Sequence, residues 1–277
     1  MSGTDMVIAA SADALNDNLP AELPFGLPLA ALEELTHARH VLEQDSLTTR
    51  LSAAVGQPID AIKRRLPTKL QSLIDESLRR VLSRALKTVL SHEPTRSLPM
   101  VRADWLHRGL AAASGAAGGA FGLGGTLVEL PVSTSLLLRQ IAAEAVANGE
   151  DPTDPVTGIE CLKVFAFGSH DEPADGGETG YFATRIALAR LIPNMSTAML
   201  PSFVGAITAR FTQPVLLKLA TQAAPVVGAA AGAGINLVFL EHFRRVARAH
   251  FTVRRLEREY GAENVRLAYE AARPSQG

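Results

Sequence analysis

Seven histidines and one cysteine, Cys161, set the limits of nucleophilic and metal chemistry. The histidines are His37, His40, His92, His107, His170, His242 and His250. His242 and His250 fall on one predicted helix over about 235–260, but eight residues apart. Chelation from a single helix needs donors three or four apart. Ser169-His170-Asp171 is contiguous, whereas a catalytic triad converges in space rather than in sequence. No His-Glu-x-x-His occurs, and no serine has a Gly-x-Ser-x-Gly setting. The acidic segment 168–180 offers Asp171, Glu172, Asp175 and Glu178, without the alternating acids and central Gly of a calcium loop. It reads as a solvated surface loop. Gly119 to Thr126 suggests a phosphate loop, but Gly125 stands where the phosphate-binding Lys belongs. The sequence thus predicts no metal, no cofactor and no catalytic residue. His250 continues a stripe through Phe239, Phe243, Val246 and Val253, so it is expected as a hydrogen-bonded histidine at the core edge. Cys161 is expected as a small core residue.

Two further residues stand out by context. Glu129 is the only charge between Arg108 and Arg139. A lone acid in an apolar run must pair, cap a helix at Pro131, or serve a ligand or proton. Asn236 lies in a Gly-rich apolar stretch, where an amide usually joins helices by hydrogen bonding.

The chain that must position these groups has 277 residues, with 27 basic and 28 acidic side chains. Hydrophobic residues make up 47%, which excludes a wholly disordered chain. One cysteine excludes an internal disulfide. Residues 1–36 hold six acids and no Lys or Arg, so no targeting signal is read there and the expected location is cytoplasmic. Segment 1–28 is expected as a disordered acidic tail, followed by one helical domain over 29–273. Ile62–Arg108 carries 11 basic and 4 acidic residues; Ile141–Gly180 carries 9 acids and only Lys163. The near-zero total therefore hides a basic–acidic–basic layout. It disfavours a nucleic-acid partner, for which no recognised module is visible either.

Periodicity predicts an all-α bundle of eight to eleven helices. Residues 68–90 form the clearest one, with apolar residues from Leu70 to Leu90 in one stripe. Thr68 and Gln71 fit a capping box, and Asp75–Arg79 and Glu76–Arg80 are favourable i,i+4 pairs. Further helices are expected over 29–43 and 46–65. Three uncharged stretches of 20, 19 and 22 residues follow Arg108, Arg190 and Lys218. Each has about the length of a membrane span, but Ala, Gly and polar residues dilute its hydrophobicity. Gly115, Gly118, Gly119 and Gly122, and later Gly228 and Gly232, share helix faces at small-xxx-small spacing. They predict close packing of a hairpin near 109–147 against one near 214–258, in water or in lipid.

At 100° per residue Arg244, Arg248, Arg254, Arg255 and Arg258 share one arc of the last long helix, with Phe251. The expected partner of Arg244, Arg248, Phe251, Arg255 and Arg258 is an anionic membrane surface or lipid. Glu241, Glu259 and the acidic 141–180 region compete for the same face.

The order of motifs resembles the EcsC family of bacterial proteins over about 100–260. The Gly-rich segment runs into Glu129-Leu130-Pro131. A helix through Leu136, Leu137, Leu138, Ile141 and Ala142 ends at Gly149-Glu150-Asp151-Pro152. Later come Ala224-Pro225-Val226-Val227-Gly228, then Gly232, Asn236, Ala247 and the Arg-rich helix. Glu129 replaces the Asp usual in the family, and Asn148 replaces an aromatic. The resemblance implies an α-helical protein, often encoded beside an ABC-type transporter and associated with membranes or secretion. It supplies no catalytic residue; Glu129, Pro131, Pro225, Gly228 and Asn236 carry over only as motif positions of unknown role. Three functions compete. The first is a non-enzymatic protein peripheral on the inner membrane, accessory to a transporter, with its Gly-rich hairpins partly inserted. The second is a soluble domain holding an apolar ligand in a Gly-lined cavity. The third, an enzyme using Glu129, is disfavoured because no spacing-defined catalytic set appears.

Overall fold

The computed structural model describes residues 24–44, 47–55, 68–90, 130–168, 180–191, 200–222 and 229–272. After a 3-10 turn at Pro24–Gly26 come α1 (Leu29–Gln44), α2 (Leu47–Val55), α3 (Thr68–Leu90) and α4 (130–147). Then follow α5 (Pro155–Phe167), α6 (Gly180–Ala189), α7 (Leu200–Gln222), α8 (Ala229–Tyr260) and α9 (Ala262–Ala271). Among the described residues there is no strand, so the all-α expectation holds. The predicted helix at 68–90 is found at those bounds, and the one at 29–43 is extended by one residue. The one at 46–65 is seen over Leu47–Val55, with 56–65 outside the described residues. Also outside are Gly115, Gly118, Gly119, Gly122, Glu129, Pro225, Gly228, residues 169–179 and the segment 1–23.

The long helix α8 organises the molecule. Its 32 residues span about 48 Å. It packs on α1, α2, α5, α7 and α9, so it is buried on several sides rather than along one stripe. Phe165, Phe211, Phe239 and Phe243 interlock where α5, α7 and α8 meet, with ring centroids 4.6 Å apart for Phe165–Phe211 and 5.1 Å for Phe239–Phe243. Such tilted pairs add about 0.5–1.5 kcal/mol each beyond burial. By contrast α3 buries one narrow row, Leu70, Ile74, Leu78, Leu82 and Leu86, against α7 and α5. Leu73, expected in that stripe, is 49% exposed because successive steps of four keep the contact to a single ridge. Glu76 pairs with Arg80 as expected, whereas Asp75 accepts a hydrogen bond from Thr212 Oγ1 on α7.

Local chemistry fixes the junction between α4 and α5. Gly149 takes φ 79°, and its N–H and that of Glu150 donate to Val146 O and Ala145 O. This is a Schellman cap, and only glycine enters that conformation without strain. Asp151 then accepts from Thr153 N and Oγ1, and Asp154 caps α5 by accepting from Val156 N at 2.8 Å. Pro155 sits at the first helical position, where no N–H is needed.

The far end of α5 is held by α8. His242 Nε2 donates to Gly168 O at 2.9 Å, while the Phe243 ring lies against Gly168. A Cβ added at Gly168 would fall 2.4 Å from Phe243 Cε1. Gly168→Ala should therefore overpack the contact and cost about 1–3 kcal/mol. A urea midpoint unchanged from the parent would show that Phe243 yields without strain.

Candidate functional site

The densest polar chemistry lies inside the bundle, where α5, α6 and α8 meet. The segment Ile159 to Phe167 of α5 is apolar except for Glu160 and Lys163, and all nine residues are buried. A fully buried helix has no polar face, so these two charges point into the protein and must find partners there. Lys163 Nζ donates to Glu160 Oε1 at 2.7 Å. Arg254 Nη1 lies 3.6 Å from the same oxygen. His250 Nε2 lies 3.2 Å from Glu160 Oε2, close but not aligned as a hydrogen bond. On its other side, His250 Nδ1 is 2.8 Å from the Tyr181 hydroxyl.

The donor pattern of this chain follows from the groups themselves. A carboxylate only accepts, so the imidazole nitrogen facing Glu160 carries the proton. Nδ1 then accepts from Tyr181 O–H. Burial pushes the His250 pKa down to about 4, further than the neighbouring Glu160 lifts it, so the ring is neutral at pH 7. Burial also acts to raise the Glu160 carboxyl, but His250, Lys163 and Arg254 together hold it well below the usual carboxylate range. We therefore read the core as an ionised Glu160 beside a neutral His250.

Arginine clamps surround this centre. Arg254 binds Glu150 in a fork at 2.9 and 3.0 Å. Arg258 adds a bond to Glu150 and another to Asn148 O at 2.7 Å. Burial opposes ionisation of Glu150, yet these two guanidinium groups keep its carboxyl below the ordinary value. Arg185 of α6 makes two 2.7 Å bonds to Glu257. Arg244 and Arg248 share Glu144 of α4, at 2.9 and 3.0 Å. Arg255 pairs with Glu34 and with Glu259. Fork geometry of this kind fixes orientation as well as charge.

Arg244, Arg248, Arg255 and Arg258 each face a carboxylate of the same chain. Phe251 is 0% exposed, which corrects the expectation that it projects beside them. The wheel angle was right, but α8 has neighbours on that side too. Glu241 approaches Arg244 at 3.5 Å. His250 is hydrogen-bonded as expected, yet it sits at the centre of the core rather than at its edge. Cys161 is a buried core residue, and burial beside Glu160 pushes its thiol up to about 12, so it is no nucleophile at neutral pH.

Of the motif positions, Pro131 lies in the first described turn of α4, and Asn236 is buried on α8. Asn236 lines a small cleft with Ser133, Leu136, Leu137, Phe239 and Leu240, which brings α4 against α8; the glycine contacts expected between the two hairpins lie outside the described residues. That cleft holds about 10 Å³, the room of about one water. Gly232 belongs to α8. Sequence reasoning missed Glu144, Glu150, Glu160, Lys163, Tyr181, Arg185 and Glu257. For Glu160 and Lys163 the signal was present: two charges three apart in an otherwise apolar helix.

Carboxylate, imidazole and hydroxyl in that order resemble a nucleophile-activating relay. Here the hydroxyl is that of Tyr181, 1% exposed and enclosed by the rings of Phe167, Phe182, His250 and Tyr269. Burial raises its pKa well above the ordinary tyrosine value. The relay therefore ends in the core and ties α5, α6 and α8 together. Among the described residues no group of three His, Cys, Asp or Glu side chains is placed to hold a metal. No described helix is long and apolar enough to cross a membrane.

The sequence profile of the EcsC protein family matches residues 30–256. The chain belongs to the EcsC protein family. The match begins in α1, well before the resemblance read from the Gly-rich motifs, and ends inside α8, so it takes in Glu160, Lys163, Tyr181, His250 and Arg254 but stops just short of Glu257 and Arg258. No curated protein and no solved structure matches the chain.

Proposed function

We propose that this EcsC-family protein is a non-enzymatic helical protein that works at the cytoplasmic face of a membrane. It is held there peripherally and acts beside a transporter or secretion system. One observation carries the non-enzymatic part. Among the described residues, the connected polar groups Glu160, His250 and Tyr181, together with the thiol of Cys161, are all turned inward and are 6% exposed or less. Recognition by the outer surface is the activity such a molecule retains. The membrane and transporter setting comes from the family resemblance.

Cell fractionation tests the reading. The protein should pellet with membranes and leave them in high salt or carbonate without detergent. Full recovery in the soluble fraction would overturn the membrane part. Release by detergent alone would replace a peripheral protein with an inserted one.

A further inference from the structure

We infer that the outward face of α3 is a docking surface for anionic phospholipid. The inference rests on the membrane reading above and names where contact is made. At 100° per residue, Lys69, Leu73, Glu76, Arg80, Arg84 and Lys87 fall within an arc of about 80°. The buried row Leu70, Ile74, Leu78, Leu82 and Leu86 lies on the opposite side, so the arc points away from the core. All six residues of the arc are exposed, and Arg79 is exposed at its flank.

The charge state of this face differs from that of α8. Arg80 is partnered by Glu76, but no described carboxylate lies within ion-pair distance of Lys69, Arg79, Arg84 or Lys87. On α8, Arg244, Arg248, Arg254, Arg255 and Arg258 are instead matched by acids from other parts of the chain. Part of the basic surplus of the 62–108 block is therefore carried on the exposed face of α3.

The form of the face selects the occupant. From Lys69 to Lys87 it extends for about 27 Å along one side of the helix, room for several headgroups. Leu73, 49% exposed, stands within the basic arc. Long Lys and Arg stems lie along apolar surface while their charges reach headgroup phosphates. A nucleic acid would use the same cations, but no aromatic side chain interrupts the arc to stack on a base.

Co-sedimentation decides this, using the full chain and vesicles of phosphatidylcholine with or without phosphatidylglycerol. The parent should bind only the anionic vesicles, and less in high salt. The fourfold variant Lys69→Gln, Arg80→Gln, Arg84→Gln and Lys87→Gln should lose about tenfold or more in binding while keeping its helical circular dichroism. Leu73→Asn should weaken vesicle binding a few-fold and leave RNA retention unchanged. Parent-like vesicle binding by the fourfold variant would overturn the assignment to α3 and leave the membrane reading standing. A parent that binds neither vesicle, and stays soluble in cell fractionation, would overturn the membrane reading itself. Equal displacement by RNA at matched phosphate, with no effect of Leu73→Asn, would make the face a nucleic-acid site and overturn the lipid assignment.

Discussion

Glu160→Gln should lower the unfolding free energy by about 3–5 kcal/mol, a large share of a domain's usual stability. The substitution keeps the shape and removes the charge. Lys163, 6% exposed, is then a buried ammonium facing an amide, and Arg254 keeps Glu150 as its carboxylate. Removing one partner of a buried pair costs more than removing both, because the survivor still lacks hydration. The double variant Glu160→Leu with Lys163→Met should therefore be more stable than Glu160→Gln. Urea denaturation of the parent and the two variants measures it. If the double variant is the least stable of the three, His250 and Arg254 rely on Glu160 more than Lys163 does.

The same core should make the protein acid-labile from an unusually high pH. His250 is held near pKa 4 in the fold and titrates near 6.5 when unfolded. Between those values the unfolded chain binds the extra proton, so stability falls as pH falls from about 6.5 to about 4. The difference corresponds to about 3 kcal/mol. Glu150 and Glu160 have lowered carboxyl pKa values. Their contribution is present above the ordinary carboxylate pKa of 4.5 and is lost below it, so it adds to the acid side. Stability should be flat between pH 7 and 8, then drop through the histidine window before any carboxylate titrates. In His250→Gln the drop between pH 6.5 and 4.5 should largely vanish, leaving only the lower-pH loss. A parent whose urea midpoint does not move from pH 7 to pH 4.5 would mean that His250 is protonated in the fold.

How far the sequence reaches depends on how many sides of a helix are covered. On α3 one side faces water, so the apolar period is visible and the helix bounds follow from it. On α5 every side is covered from Ile159 onward, and a run such as Val164-Phe165-Ala166-Phe167 has no period to read. On α8 the wheel placed Phe251 correctly among the arginines, but angle equals exposure only for a helix with one covered side. The polar core was illegible for another reason. Glu160 and His250 are 90 residues apart, and Tyr181 and His250 are 69 apart, so pairing requires the fold before the partners can be named. The Schellman turn at Gly149 was legible as a helix end because glycine followed by Asp and Pro announces it locally. That Glu150, one residue on, would gather Arg254 and Arg258 was not.

The long reach of these contacts bears on how the molecule is made. Glu43 of α1 accepts hydrogen bonds from Tyr181 N and from the Tyr269 hydroxyl, partners 138 and 226 residues later in the chain. Translation proceeds at about 5–20 residues per second, so Glu43 is synthesised roughly 11–45 s before its last partner. During that interval Leu35, Ala38, Val41 and Leu42, all at most 4% exposed in the finished protein, have no α8 or α9 to cover them. Folding is thus closed from its last helices. The nascent chain is a natural client for a holding chaperone, and a pause late in the message lengthens the time for which α1 must be shielded.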